Sequence, residues 1–184
     1  TALSRIISDN GHQVLIYDVN KETIDEINQF HTNKAKLPEG VLNDNVSGTT
    51  DINEAVKLAD LILLAVPTKV IRGVLENIRD VITEKKIFVN ASKGIEPITF
   101  MRVSEITYEV IPTQFIEGFV ALTGPSHAEE VILQMLTVIC SASTDMKIAK
   151  QVQKIFSNQQ YFRVYALNDL IGAELGGSLK NIIA

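Results

Sequence analysis

The sequence predicts an α/β fold built on a doubly wound sheet. Strand-like and helix-like segments alternate along most of its 184 residues. One strand, Leu61 to Val66, is a continuous apolar run of the kind covered on both faces. The polar motifs fall at the ends of predicted strands. Alternation of this kind argues for parallel strands joined by helices. Right-handed crossovers then place a ligand crevice at the strands' carboxyl ends.

Ala2 to Ser8 is short, apolar and helix-like. Beyond the turn at Asn10 and Gly11, Gln13 to Tyr17 is a short β-rich run. Lys21 to Phe30 has helical spacing, with Ile24 and Ile27 on one face. A polar loop containing Pro38 and Gly40 is expected from Thr32 to Asn45, then a short strand from Val46 to Thr49. Asp51, with Glu54 three residues later, reads as a capping box. Lys69 to Ile82 is a predicted helix, Ile87 to Asn90 a strand, and Ile98 to Val110 another helix. Strands near Phe119–Leu122, Leu136–Ser141 and Phe162–Tyr165 are separated by helices over Ser126–Leu133 and Thr144–Phe156. The chain closes on a helical segment from Ile171 to Asn181 that holds Gly172, Gly176 and Gly177. Each glycine costs roughly 1 kcal/mol of helix stability relative to alanine. That cost asks for something lying close to the helix backbone.

Composition narrows the class. Hydrophobic residues make up 46% and charged residues 21%, as in a globular protein. A net charge of −5 disfavours nucleic-acid and anionic-membrane partners. The single cysteine, Cys140, lies in an apolar run and cannot close an internal disulfide, which suits a reducing, cytoplasmic compartment. No apolar stretch reaches the length of a membrane span, and no signal peptide, internal repeat or metal-ligating set stands out.

Candidate functional residues cluster at strand ends. Asp18 closes the first visible strand. An acid there, about 20 residues beyond a glycine fingerprint, would bond an adenosine ribose 2′-OH. Counting back sets that fingerprint just before Thr1, so the first strand and glycine turn are expected to precede this chain. The plain alternative is that Asp18 shapes a turn before Asn20. Val66-Pro67-Thr68 turns the backbone into the crevice, though such dipeptides are common. In Asn90-Ala-Ser-Lys93-Gly94, small residues would let the chain approach an anion, with Lys93 as the charge. A solvated loop lysine is the alternative. In Thr123-Gly-Pro-Ser126-His127-Ala128, Ser126 can cap a helix whose N-terminus, with Gly124, suits a phosphate. Simple capping would leave the same trace. Lys180, beside Asn181, is the one lysine on the glycine-bearing helix and suits proton transfer. A core helix with a snorkelling lysine is the alternative.

The strings NASKGIEP, LTGPSHAEE, FRVY and NDLIGAELGGSLKNIIA, in this order and spacing, resemble bacterial NAD(P)-dependent glycerol-3-phosphate dehydrogenase. The opening TAL is similar to the helix after that family's glycine turn, and DNGHQV to the turn into its second strand. The resemblance covers the whole chain. It implies a Rossmann-type dinucleotide-binding domain over residues 1–166, truncated at its start. Residues 167–184 would begin an all-α substrate domain whose remainder is missing. It implies hydride transfer between NAD(P)(H) and C2 of sn-glycerol 3-phosphate, with dihydroxyacetone phosphate as the oxidised partner, feeding phospholipid synthesis. Lys180 matches the family's general acid–base residue, a task that needs a lowered pKa. Lys93 matches a lysine touching both substrate and cofactor. Gly124 and Ser126 match substrate contacts, Asn181 adjoins Lys180 as an orienting group, and Pro67 and Ala128 fall at cofactor contacts.

Departures from the family pattern also carry information. Relatives often read Trp-Gly-Arg or Trp-Gly-His where this chain reads Tyr17-Asp18-Val19. Val19 cannot pair with a 2′-phosphate and Asp18 would repel one, so NAD(H) is expected over NADP(H). The segment Val131–Leu136 also differs, away from the expected chemistry. The expected partner is a small phosphorylated substrate, with neither nucleic acid nor membrane, and a homodimer is the candidate assembly. Lacking the glycine turn and the helical domain, the chain by itself is expected to be inactive. Two rivals stand beside this reading. One is a related hydroxyacyl or hydroxy-acid dehydrogenase; the other is a non-catalytic dinucleotide-binding module.

Overall fold

The computed structural model describes the backbone of residues 1–183 and the side chains of residues 1–179. Helix α1 (Ala2–Asp9) opens the chain and buries Ala2, Ile6 and Ile7. Strand β1 (Val14–Tyr17) leads into α2 (Lys21–Phe30). The Asn20 side chain fixes where α2 starts by accepting from Glu22 N at 2.9 Å and Thr23 N at 3.2 Å. The segment expected as a polar loop folds instead into an antiparallel hairpin, β2 (Thr32–Asn33) with β3 (Leu37–Val41). It pairs because Leu37 and Leu42 are buried in the core, a tertiary reward that the local polar composition hides. Strand β4 (Val46–Thr49) returns parallel to β1.

Helix α3 (Ile52–Leu58) is capped by Asp51, which accepts from Asn53 N at 2.8 Å. The reciprocal half of the expected capping box is absent, since Glu54 accepts from the Thr49 hydroxyl at 2.6 Å. A five-stranded sheet follows in the order β5 (Leu61–Leu64), β6 (Lys86–Asn90), β7 (Ile116–Thr123), β8 (Thr137–Ala142) and β9 (Phe162–Leu167). Helix α4 (Thr68–Arg79) joins β5 to β6, and α5 (Val103–Val110) joins β6 to β7. Helix α6 (Ala128–Ile132) precedes β8, α7 (Met146–Phe156) precedes β9, and α8 (Leu170–Ile183) ends the described chain.

Neighbouring strands of this sheet are parallel except β7 and β8. The five residues of α6 rise about 7.5 Å, whereas the eight of β7 extend about 26 Å. Helix α6 therefore cannot carry the chain back to the start of β7, and β8 descends from where β7 ends.

The core lies on both faces of this sheet. Ile87 and Val89 of β6 join Val120 and Leu122 of β7 in one cluster with α1 and α7. Phe88 and Phe119, one residue out of phase, join the other cluster with α4 and α5. Strand β6 is buried throughout. The run read as fully covered, β5, is only half-buried over Leu61–Leu63, because it forms an edge of the sheet. Its side chains still divide between the two clusters.

A polar staple joins the two ends of the chain. Asp9 of α1 accepts from Tyr161 Oη at 2.7 Å, Gln134 Nε2 at 3.0 Å, Arg5 Nε at 2.9 Å and Asn43 Nδ2 at 2.6 Å.

Candidate functional site

The site forms at the carboxyl ends of β5, β6 and β7. Their register aligns Leu64 with Asn90, and Asn90 with Ala121, so the chain leaves the three parallel strands along one edge. Asn90 is buried and turns the chain out of β6. Its Oδ1 accepts from Ser92 N at 2.9 Å and its Nδ2 donates to Ser92 O at 3.2 Å.

Lys93 follows on the exposed side of that turn, and its Nζ donates to Ser126 O at 3.4 Å. Gly94 has φ +117, and a Cβ there would lie 3.3 Å from Thr68 Oγ1 at the start of α4. Only glycine takes this path without strain. Two residues on, Glu96 is buried and receives both Arg72 Nε at 2.8 Å and Arg72 Nη2 at 2.9 Å. This pairing, with the Thr99 hydroxyl, holds the Glu96 carboxyl below the ordinary carboxylate range.

The loop after β7 supplies the facing wall. Gly124 has φ +156, and a Cβ there would stand 2.8 Å from Ile139 Cα of β8. Helix α8 closes the cleft from above, where a Cβ on Gly177 would stand 2.8 Å from Thr123 Oγ1. That close approach explains one of the three helix glycines. Asn90, Lys93, Gly94, Thr123, Glu174 and Gly177 line the resulting small cleft.

The fold brings Lys93 to the Ser126 carbonyl, and Gly124 lies in the same loop as Ser126. Ser126 differs from expectation in one respect. It does not cap α6, which begins two residues later behind His127, without a side-chain cap bond. The reason is that Ser126 belongs to the loop whose carbonyl receives Lys93. Helix α6 is also too short to present a strong N-terminal dipole, so an anion here would depend on the Lys93 ammonium. Pro67 is the exposed N-cap residue of α4, and Ala128 is the exposed first residue of α6. Lys180 and Asn181 fall within the backbone of α8, but their side chains lie outside the described residues.

Asp18 and Val19 sit at the end of β1 in the two-stranded sheet. Asp18 Oδ1 accepts from Asn20 N at 2.9 Å, so the turn-shaping alternative holds. Val19 is 83% exposed and offers no cation beside it.

The cleft also recruits residues that sequence reasoning passed over. Asn90 and Glu174 line it and Glu96 anchors the loop beside it, yet all three stood only inside longer strings, with no role of their own. Among the described residues, no group of three or more His, Cys, Asp or Glu side chains could hold a metal ion, and no helix is long and apolar enough to cross a membrane.

Residues 1–149 match the family described as NAD-dependent glycerol-3-phosphate dehydrogenase N-terminus. The chain belongs to this family. It is 50% identical, over all its 184 residues, to a Bacillus velezensis protein named glycerol-3-phosphate dehydrogenase [NAD(P)+], and it covers 53% of that protein. The glycerol-3-phosphate dehydrogenase of Coxiella burnetii superposes with a TM-score of 0.88 at 25% identity, over 99% of this chain and 55% of that one. The Plasmodium falciparum glycerol-3-phosphate dehydrogenase shares the fold with a TM-score of 0.90 at 24% identity, over 99% of this chain and 53% of its own. The chain thus spans about half the length of the curated relatives it matches and corresponds to the family's N-terminal part.

Proposed function

We propose that this chain is the cofactor-binding part of an enzyme that interconverts sn-glycerol 3-phosphate and dihydroxyacetone phosphate, supplying glycerophospholipid synthesis in the cytoplasm. The observation that carries the reading is that Lys93, which donates to Ser126 O, lines a cleft closed by α8, in a chain of this family. Residues 1–166 form the dinucleotide-binding unit in this reading, and residues 167–184 begin the helical substrate domain. The whole protein acts as a homodimer on a small phosphorylated substrate.

The nicotinamide cofactor, when bound, supplies or accepts the hydride at C2 of the substrate. The chain's own residues do the rest. Lys180 takes the C2 hydroxyl proton during oxidation and returns it during reduction. Lys93 places positive charge at the cleft, where it attracts the phosphorylated substrate and stabilises oxygen-centred negative charge during proton transfer. Gly124 lets the backbone pass close by, Ser126 contributes polar contacts, and Asn181 orients the substrate hydroxyl. Asp18 accepts from the adenosine ribose, while Pro67 and Ala128 border the cofactor. With Val19 where a cation would be needed, NAD(H) is preferred over NADP(H).

The test is absorbance-monitored NADH oxidation by the full protein. Dihydroxyacetone phosphate should support rapid oxidation, and unphosphorylated dihydroxyacetone should not. No oxidation of NADH or NADPH with the phosphate ester would overturn the reading.

A further inference from the structure

We propose that Arg72 and Glu96 are positioning residues that fix where Lys93 stands in the cleft. The inference rests on the reading of Lys93 given above and adds two residues to it. A lysine ammonium on four rotatable bonds reaches only what its Cα position allows, so the path of the loop decides its placement. That path is held at two points. Upstream, the Asn90 side chain closes a turn on Ser92. Downstream, Gly94 rests against Thr68, and Glu96 is gripped by Arg72 through two parallel bonds of 2.8 and 2.9 Å. Thr68 and Arg72 stand one turn apart on α4, so a single helix face receives the loop at both contacts.

The segment that follows closes on Glu96 as well, whose N donates to Met101 O at 2.9 Å and whose O accepts from Phe100 N at 3.0 Å. Ile98 and Phe100 have positive φ values of 77° and 58° and are 91% and 72% exposed. Glu96 is the buried residue of the loop, at 8% exposure. Arg72 also reaches Glu109 Oε1 of α5 at 3.1 Å, which ties the fork to a second helix. A buried ion pair is a weak source of net stability, because desolvation offsets most of the attraction. Its planar two-bond geometry is, however, well suited to fixing one arrangement. Here the arrangement fixed is that of a chain segment whose charged residue lies three positions upstream.

The experiment compares Glu96→Gln, Lys93→Ala and the double variant in the full protein. Each is assayed for kcat/KM with dihydroxyacetone phosphate and for NADH affinity by fluorescence. Glu96→Gln should lower kcat/KM by roughly tenfold or more, the scale of an ångström-level misplacement. NADH affinity should fall no further than it does in Lys93→Ala, since the lesion acts through that lysine. In the Lys93→Ala background, Glu96→Gln should cost nothing further, because there is no ammonium left to place. A merely structural role would instead depress the double variant well below Lys93→Ala. Such a drop, or a Glu96→Gln enzyme with the parent's kcat/KM beside an impaired Lys93→Ala, overturns the proposal alone. Undiminished kcat/KM in Lys93→Ala overturns the reading of Lys93 and this inference together. Should Glu96→Gln fail to fold, Arg72→Lys keeps the charge, gives up the fork, and is judged against the same outcomes.

Discussion

Glu174 of α8 caps α5 from outside, its Oε1 accepting from Ser104 N at 2.9 Å and its Oε2 from Ser104 Oγ at 2.6 Å. Arg102 Nη1 adds a third donor at 3.1 Å. The carboxylate is buried and thereby fastens the last described helix to the sheet's outer layer. Replacing Glu174 by Gln removes the charge and mismatches at least one donor. The loss should be about 1–3 kcal/mol of stability, the usual cost of a broken buried bond to a charged group. Urea unfolding of the two proteins measures it, with Ser104→Ala expected to fall between them.

Asp9 makes stability depend on acidity. Burial pushes its carboxyl upward, but the bonds from Asn43, Tyr161 and Gln134, with the charge of Arg5, outweigh this and leave it below the ordinary range. A carboxyl lowered in the folded state adds stability above its unfolded value, about pH 4, and loses that contribution as pH falls through the folded value. The stability gap between the parent and Asp9→Asn should therefore be widest near neutrality and narrow below about pH 4. A gap independent of pH over that range would contradict it.

Gly124→Ala should damage both fold and function. A methyl at φ +156 is strained, and it would sit 2.8 Å from a backbone atom, Ile139 Cα, which cannot swing aside. The expected destabilisation is about 1–3 kcal/mol, seen as a lowered Tm. The KM for the phosphorylated substrate should rise as well.

The proposed roles of Asp18 and Val19 make cofactor choice measurable. The full protein should show a kcat/KM for NADH at least about tenfold above that for NADPH, as expected of a carboxylate facing a 2′-phosphate without a cation. The pair Asp18→Gly and Val19→Arg should reverse the ratio. An unaltered ratio in the double variant would place discrimination elsewhere.

Lys180→Ala should abolish turnover while leaving NADH fluorescence titration unchanged. Substantial residual turnover would remove its proton-transfer role.

The alternation of segments made the layered sheet legible, because covered strands and amphipathic helices leave their periods in the chain. Lys93, Gly124 and Ser126 could be singled out because the motifs that hold them share a position at the carboxyl ends of strands. The hairpin after α2 was not, since its pairing depends on Leu37 and Leu42 finding a distant core. Nor was the start of α5, expected at Ile98 and found at Val103. The residue that caps it, Glu174, lies 70 positions away from Ser104. Glu96 and Glu174 carried no signal of their own, because burial of a carboxylate is decided by its partner, and Arg72 and Ser104 are separated from them in sequence.

The staple at Asp9 has a consequence for the order in which the chain can fold. Tyr161 is 152 positions from Asp9, so their bond closes a very long loop, and such closures are slow. During synthesis, α1 emerges well before β9, and the burial of its Ala2, Ile6 and Ile7 requires partners such as Val131 and Phe162 that emerge much later. At typical translation rates of about 5–20 residues per second, that apolar face waits several seconds or longer for its cover. Helix α1 is thus made early and secured late, and a nascent chain halted before β9 would present it to chaperones and proteases.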